Sequence, residues 1–582
     1  MASAPPSHTS TIIEESRVDG DKVGKEGYTD PENLSSDEII LLEFSENDPL
    51  NPKMWSKWYR WYLTVISGLL VLNATFASSA PSNVLPQMME QFGMGIEVAT
   101  LTISLFTAGY CIGPILWGPL SEQVGRRPVF LVTFFVYTGF QVGCALSKNT
   151  ASILVFRFLG GAFAAAPLTN SGAVLGDIWD AKTRGRAMVI FAVTPFAGPA
   201  LGPTVGGWIA TAGVTWRWLF WVLTIFAGVC FLFILLSLPE TYPPTILVSK
   251  ARRLRKETGD ERYRAQTEID GVRFAQLVEN VVAKPFKILF AEPMLIVVTT
   301  YMSFLSGCLY LLFEAYPIVF TEGHHFDAGV SGLMFLPIFI GGILGVLIYL
   351  VFFEPRYEKL VVQHAPEPVP AESRLEMTML GAPLFAISFF WFGWTSYPSI
   401  SYWSPMLAGG LMGLGIFCIF LSLFNYVIDT YLFVAASALA SLTVVRSVFS
   451  AVFPLFARQM FDAMNPRWAS TLLGFIALLL MPIPFVFQRF MVCRLNASNA
   501  TSFEPVEFGE LTSRVIVPVL KARPAGGHTM VPCATHSLMA ANRTSPLRKS
   551  LSRLDDVCGI SDAWTHPYSI REEHPVDSDS LL

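Results

Sequence analysis

Residues 197–208 read AGPALGPTVGGW. Gly198, Gly202 and Gly206 recur every fourth residue. That spacing puts them on one face of an α-helix, where small residues let a second helix come close. Pro199 and Pro203 each remove a backbone donor and bend or stiffen the same helix, and Gly207 completes a doubled GP–GP–GG pattern. The stretch lies inside a run of about 24 residues, roughly 188–211, which is long enough to cross the apolar core of a bilayer.

Reading outward for runs of that kind gives twelve. The first six lie at about 61–80, 97–117, 128–146, 152–174, 188–211 and 217–238, and the second six at about 293–313, 331–353, 377–395, 403–424, 431–457 and 468–488. The chain of 582 residues is 52% hydrophobic, 15% charged and has a mean hydropathy of +0.48. A soluble domain carries about a quarter charged residues, so charge here is segregated into tails and loops. The expected fold is an all-α polytopic membrane protein with twelve transmembrane helices in two pseudosymmetric six-helix halves. The expected organisation is a disordered N-terminal segment, 1–60, a first half, 61–238, a central loop, 239–292, a second half, 293–489, and a disordered tail, 490–582. The N-terminus has no basic stretch followed by an apolar core, so the first span directs insertion rather than a cleaved leader.

Orientation follows from Lys and Arg in the loops. Arg126 and Arg127 follow span 2, and Lys182, Arg184 and Arg186 follow span 4. Lys250, Arg252, Arg253, Arg255 and Lys256 lie in the central loop, and Arg356, Lys359 and Arg374 follow span 8. The loops after spans 1, 7 and 9 have no positive charge. Both termini are therefore expected in the cytosol. The stretch KARRLRKETGDERYRAQTE, 250–268, reads as a surface helix that either holds orientation or meets lipid or a regulator.

Three charges fall in or at the edge of the spans: Arg157, Glu314 and Arg446. An Arg at a helix centre costs roughly 2.5–3.5 kcal/mol on insertion scales, so it should face the bundle interior and have a partner. Arg157 reads either as proton coupling and substrate-pathway electrostatics or as a structural residue bonded to backbone carbonyls. Glu314, in YLLFEAYPIVF, is either a titratable acid that responds to desolvation or a hydrated interfacial carboxylate. Arg446, in SLTVVRSVFSAVF, is placed with the same pathway and is expected to bond between spans. Asp429 reads as a cap for span 11.

The loop after span 2 reads GPLSEQVGRRP, 118–128. With VFRFLGGAFAAAP in span 4 and AGPALGPTVGGW in span 5, it resembles the major facilitator superfamily. The likeness is greatest to the fungal twelve-spanner drug:proton antiporters, in the branch of polyamine and cycloheximide exporters. ENDPLNPKMWS, LPETYPP, FEAYPIVF and FNYVIDTY look like the same group, and the resemblance covers about 43–489. It implies an efflux antiporter driven by the proton gradient, with no other cofactor and no metal. It also implies a monomer in the plasma membrane, or alternatively the vacuolar membrane. The loop motif, Gly118, Glu122, Gly125, Arg126 and Arg127, has Glu122 where Asp is usual. With Asp177 it is expected to form a charge latch that holds the two halves together at the cytosolic side. Gly198, Pro199, Gly202, Pro203, Gly206 and Gly207 match the antiporter signature. Their face is expected to pack against the second half, at the GGILG run, 341–345, of span 8.

Other classes fit poorly. No Gly-rich loop with Lys is present for a nucleotide, and the small net charge of −5 implies no nucleic-acid partner. The cysteines at 111, 144, 230, 308, 418, 493, 533 and 558 form no CxxC pair and read as buried hydrophobes. His324 and His325 read as surface residues without a ligand cluster. Within transport, proton-coupled nutrient uptake is the rival reading, and a non-transporting membrane sensor with the same fold is another. The substrate class stays open between drugs, toxins, polyamines and a fungal secondary metabolite. After Arg489 the resemblance stops, and about 90 residues follow that read as disorder or as translation past a true exon. Asn496, Asn499 and Asn542 sit there in N-x-S/T sequons, which a cytosolic tail would leave unglycosylated.

Overall fold

The computed structural model describes residues 15–17, 39–45, 48–270, 283–364, 369–431 and 434–489. The tail expected from 490, with its three sequons, and most of 1–38 lie outside the described residues. The chain divides into two units, Met1–Pro484 and Phe485–Leu582. Of the second, only residues 485–489 are described, as helix.

The first unit is a bundle of apolar helices. Spans 1 to 6 are Lys57–Phe92, Ile96–Val124, Arg126–Ala145, Thr150–Ile178, Thr183–Thr211 and Arg217–Ser237. Spans 7 to 10 are Pro293–Gly323, Ala328–His364, Ala371–Thr395 and Trp403–Thr430. Caps start several of them: the Ser56 hydroxyl accepts from the Tyr59 N–H, and Asn149 Oδ1 accepts from the Ser152 N–H at 2.8 Å. The last apolar helix, Ala435–Leu480, has 46 residues. Unbroken, it would be about 70 Å long, roughly twice the apolar core of a bilayer. It is broken at Asn465, where φ is 60° and ψ is 155°, and Pro466 brings no N–H to resume the ladder. Spans 11 and 12 are its two arms, which completes the twelve.

The packing explains two halves. Spans 1 and 5, 2 and 4, 3 and 4, and 3 and 6 pair in the first half; 7 and 11, 8 and 10, 9 and 10, and 9 and 12 pair in the second. Each later pair is an earlier pair shifted by six. Between the halves, spans 5 and 8 and spans 2 and 11 pack together, and the same shift exchanges these two seams. Within a half, helices come to backbone contact where a Cβ would not fit. Gly109 and Gly161 make this approach between spans 2 and 4, and Gly341 and Gly413 make it between spans 8 and 10.

The central loop opens with the helix Pro243–Thr258, which ends at Gly259 in the left-handed conformation, φ 71°. The stretch 250–268 is therefore not one helix. The chain leaves it at Gly259, forms the strand Tyr263–Arg264 beside Ile40–Leu42, and turns into Gln266–Asp270. Ile40–Leu42 also pairs antiparallel with Glu15–Arg17. Arg255 donates to both carboxylate oxygens of Glu268, at 3.1 and 2.9 Å, and holds that carboxyl below its usual range. Lys250 meets Asp48 at 2.7 Å. Residues 39–45 and 48–60, inside the segment expected to be disordered, are thus tied to the loop by a strand and an ion pair.

Candidate functional site

Arg157 is fully buried in span 4. Its Nε donates to the Thr102 carbonyl at 2.6 Å, Nη1 to Ala77 at 2.9 Å and Nη2 to Ser78 at 3.3 Å, while its Cζ lies 4.0 Å from the centre of the Phe106 ring. Span 1 makes this cradle available. Pro81 cannot donate to the carbonyl four residues back, that of Ala77, and the helix tightens into a 3-10 turn over Ala80–Val84. The guanidinium fills the gap that the proline opens. The carbonyl-bonded reading of Arg157 is the one its geometry matches, and no carboxylate pairs with it among the described residues.

Glu314 is buried, and its Oε1 accepts from the Thr100 hydroxyl at 3.1 Å. Thr100 belongs to span 2 and Glu314 to span 7, so this bond crosses between the halves. Its burial and its bond to Thr100 do not match a hydrated interfacial carboxylate. One turn deeper on span 7, the Tyr310 hydroxyl meets Ser78 Oγ of span 1 at 2.9 Å. Tyr110 of span 2 donates to the Ala74 carbonyl at 2.8 Å. Arg446 stands halfway along span 11 with its Cζ 5.1 Å from the centre of the Phe420 ring. Its guanidinium makes no hydrogen bond among the described residues, and its contact between spans is with this ring of span 10. Asp429 does not cap span 11, whose helix starts only at Ala435; it pairs with Arg374 at 2.8 Å.

The glycine face of span 5 packs inside its own half. A Cβ on Gly198 would strike Thr75 and Phe76, on Gly202 Ser79 and Ala80, and on Gly206 Ala80, all in or just after the first helix of span 1. The expected partner, GGILG of span 8, is occupied elsewhere: Gly341 abuts Gly410 and Leu414, and Gly345 abuts Phe417, all in span 10. The neighbouring positions on span 5 reach the second half. Gly207 leaves no room for a Cβ against the Ala328 carbonyl, Thr204 donates to the Gly332 carbonyl at 2.9 Å, and the Gly329 N–H donates to Thr211 at 3.0 Å. Asn83 donates to Pro203 at 2.8 Å and to Ala328 at 3.4 Å and stitches span 1 into this seam. All of these contacts lie at the end of the bundle away from the basic loops. Pro199 lies buried on the same stretch of helix.

At the basic end, the loop motif also stays within one half. Arg126 Nε meets Asp177 at 3.3 Å, and the Glu240 carboxylate accepts from the N–H groups of Arg126 and Arg127 at 2.8 and 3.1 Å. Gly125 has φ 106°, and a Cβ there would collide with that carboxylate. Only glycine fits both the backbone and the seat. The Arg126 guanidinium also lies over the ring of Tyr242, 4.8 Å from its centre, and burial pushes the Tyr242 phenol up. Gly118 and Glu122 sit on the helical turn just before this cluster. The latch between halves is a different group: Arg186 meets Glu354 at 3.1 Å and Glu358 at 3.0 Å. In the sequence alone Arg186 marks only orientation. Glu240 was legible as part of LPETYPP, but nothing in spacing ties it to a loop more than a hundred residues earlier.

The family model described as Major Facilitator Superfamily matches residues 67–454. The transporter paaT of Penicillium rubens is 39% identical over 447 residues, covering 77% of this chain and 81% of paaT. The efflux pump FUBT of Fusarium oxysporum is 38% identical over 466 residues, covering 79% and 78%. The multidrug transporter mdrA of Aspergillus fumigatus is 41% identical over 456 residues, covering 78% and 74%. In fold, the human organic anion transporter MFSD10 aligns with a TM-score of 0.54 at 18% identity, over 73% of this chain and 99% of that one. The proton:xylose symporter XylE aligns with a TM-score of 0.54 at 15% identity, over 75% and 97%. With the paired six-helix halves and the family match in agreement, the chain belongs to the major facilitator superfamily: it is a multi-pass membrane carrier and not an enzyme.

Proposed function

We propose that the protein exports small organic molecules in exchange for protons. Relatives at about two-fifths identity over most of both chains bear the names efflux pump and multidrug transporter. The observation that carries the proton step is Glu314. It is a buried carboxyl that bonds Thr100 across the interface and has no cation within ion-pair distance among the described residues. Burial of a charge is costly unless it is paired. A carboxyl in this position changes its proton when the halves part at that end and let water reach it.

On this reading the basic end of the bundle and both termini lie in the cytosol. The seam of Gly207, Thr204 and Asn83 then joins the halves on the outer side, and the Arg186 pairs with Glu354 and Glu358 join them on the cytosolic side. Rocking the halves breaks the outer seam and the Thr100–Glu314 bond together, so cargo release and proton uptake share one movement. Arg157 shapes the hinge region of span 1 through its three carbonyl bonds. The glycine face of span 5 keeps spans 1 and 5 moving as one body. The loop motif, from Gly118 to Arg127, with Asp177 and Glu240, keeps the first half rigid at its cytosolic end. The plasma membrane is the site of action that suits export from the cell, and a single chain holds the complete pathway.

The test is flux in sealed vesicles with a controlled orientation and an imposed pH gradient. Export predicts that cargo moves against the direction of proton flow. Movement in the same direction as protons would make it an uptake carrier, and no flux for any aromatic or amphipathic cargo would make it a sensor.

A further inference from the structure

The two arginines at mid-depth are treated differently by the fold. Arg157 has three carbonyl acceptors. The Arg446 guanidinium has no hydrogen-bond or ion-pair partner among the described residues, yet it lies halfway along span 11 and keeps part of its surface open. One face of its guanidinium rests on Phe420, and the phenols of Tyr110 and Tyr310 are close enough to act on its charge. Both phenols are already committed, to Ala74 and to Ser78. A guanidinium has five N–H donors, and leaving them unmet in a membrane interior costs several kcal/mol.

No acid of the spans answers it. Glu314 turns to Thr100. Asp177 meets Arg126, Asp429 meets Arg374, and Glu354 meets Arg186. Each of these three pairs lies at the basic end. Around Arg446 the surface is aromatic instead: Phe420 packs against Phe196 of the first half with ring centres 5.7 Å apart, and Phe196 packs against Phe417 at 5.8 Å. The centre of the bundle therefore offers one unclaimed fork of donors beside a wall of rings supplied by both halves.

We propose that Arg446 docks the carboxylate of an aromatic organic anion, whose ring system lies against Phe196, Phe417 and Phe420. The inference rests on the export reading and narrows its cargo: organic acids fit this centre, and polyamines do not. The planar fork accepts a carboxylate through two parallel bonds, and the anion offsets the uncompensated charge of Arg446. Because Phe196 and Phe420 come from opposite halves, cargo seated on them touches both moving bodies.

The experiment is equilibrium binding by the full chain in nanodiscs of neutral phosphatidylcholine, where no anionic lipid competes. The probes are three molecules of one shape: 2-naphthoate, 2-naphthamide and 2-naphthylmethylamine. At neutral pH, naphthoate should bind about tenfold or more tighter than the other two, as a charge-assisted fork requires. Arg446→Gln should bring naphthoate down to the level of the amide and leave the amide unchanged. Arg446→Lys, which keeps the charge and loses the fork, should fall between, and it supplies the answer if the Gln variant does not fold. Preference for the amine, equal binding of all three, absence of naphthoate binding, or a naphthoate preference that survives Arg446→Gln would each overturn the proposal. Binding needs no gradient, so a failure of proton-driven flux in vesicles would count against the export reading and not against this site.

Discussion

Arg157 donates to the Ala77 carbonyl at 2.9 Å, and Pro81 is the reason that carbonyl is open. A proline and an arginine far apart in the chain are therefore one structural unit. Hydrogen bonds from charged groups contribute about 1.5–3 kcal/mol each. Arg157→Ala removes three and leaves carbonyls unmet at mid-depth. It should lower the unfolding temperature by several degrees and abolish flux. Arg157→Lys can keep one or two of the bonds and should retain partial transport with a smaller drop. Thermal unfolding and vesicle flux on the same preparation check both, and full transport by the Ala variant would remove the residue from the mechanism.

Glu314→Gln keeps a side-chain oxygen for Thr100 but holds no exchangeable charge. The variant should fold normally, lose accumulation driven by a pH gradient, and still exchange labelled for unlabelled cargo across the membrane. Measuring the two modes side by side separates a proton carrier from a structural acid: a structural acid would lose both or neither.

The two neighbouring glycines of span 5 should fail in different ways. Gly202→Val drives a side chain into Ser79 and Ala80, and overpacking of this kind costs about 1–3 kcal/mol. It should reduce stability and flux together. Gly207→Val instead pushes on the Ala328 carbonyl of the second half. It should leave the first half stable and prevent the outer seam from closing. Cysteine accessibility at that seam reads the difference, and equal accessibility in the two variants would contradict the packing described above.

Arg186 bridges the halves at their basic end from an exposed guanidinium, onto buried Glu354 and exposed Glu358, and pairs with an exposed partner are worth about 1 kcal/mol or less. That is still about a fivefold bias between two states of similar energy. Arg186→Glu should speed the opening of that end, and Arg186→Glu combined with Glu354→Arg should bring the rate back. The effect should weaken at high salt. Additive behaviour of the two changes would show that the pair is not coupled.

Gly125→Ala should be severe for so small a change, because the backbone at φ 106° and the Glu240 carboxylate both exclude a Cβ. Flux should drop about tenfold or more, as expected for a cost of about 1–3 kcal/mol at a strained position. Glu240→Ala in the same background should recover part of it by vacating the seat, though not the part due to the backbone.

The spans, their number and the two halves were legible because apolar length is a one-dimensional property. The small-residue face of span 5 was legible from spacing alone. Its partner was not, since a face of Gly198, Gly202 and Gly206 states only that something comes close, and Thr75, Ser79 and Ala80 are as compatible with it as GGILG. The latch was misplaced for a similar reason. Arg126 and Asp177 attract each other as expected, but that both belong to the first half follows from how span 4 packs beside span 2. In the sequence Arg186 is one of three topology charges, and its partners come from the basic end of span 8, which only the packing brings beside it. Thr100 and Glu314 are more than two hundred residues apart, and no local pattern links them. Asn465 could be read only as a residue before proline, a position that often closes a helix.

That single residue has a mechanical consequence. Span 11 lies against span 7, where Gly307 abuts Phe453, and span 12 lies against span 9, where Gly393 abuts Ser470. Asn465 joins them as the one non-helical residue within Ala435–Leu480, so the connection carries no slack. The turn from one arm to the other is made by a single backbone conformation, so a residue that disfavours φ 60° at position 465 would unsettle both spans at once.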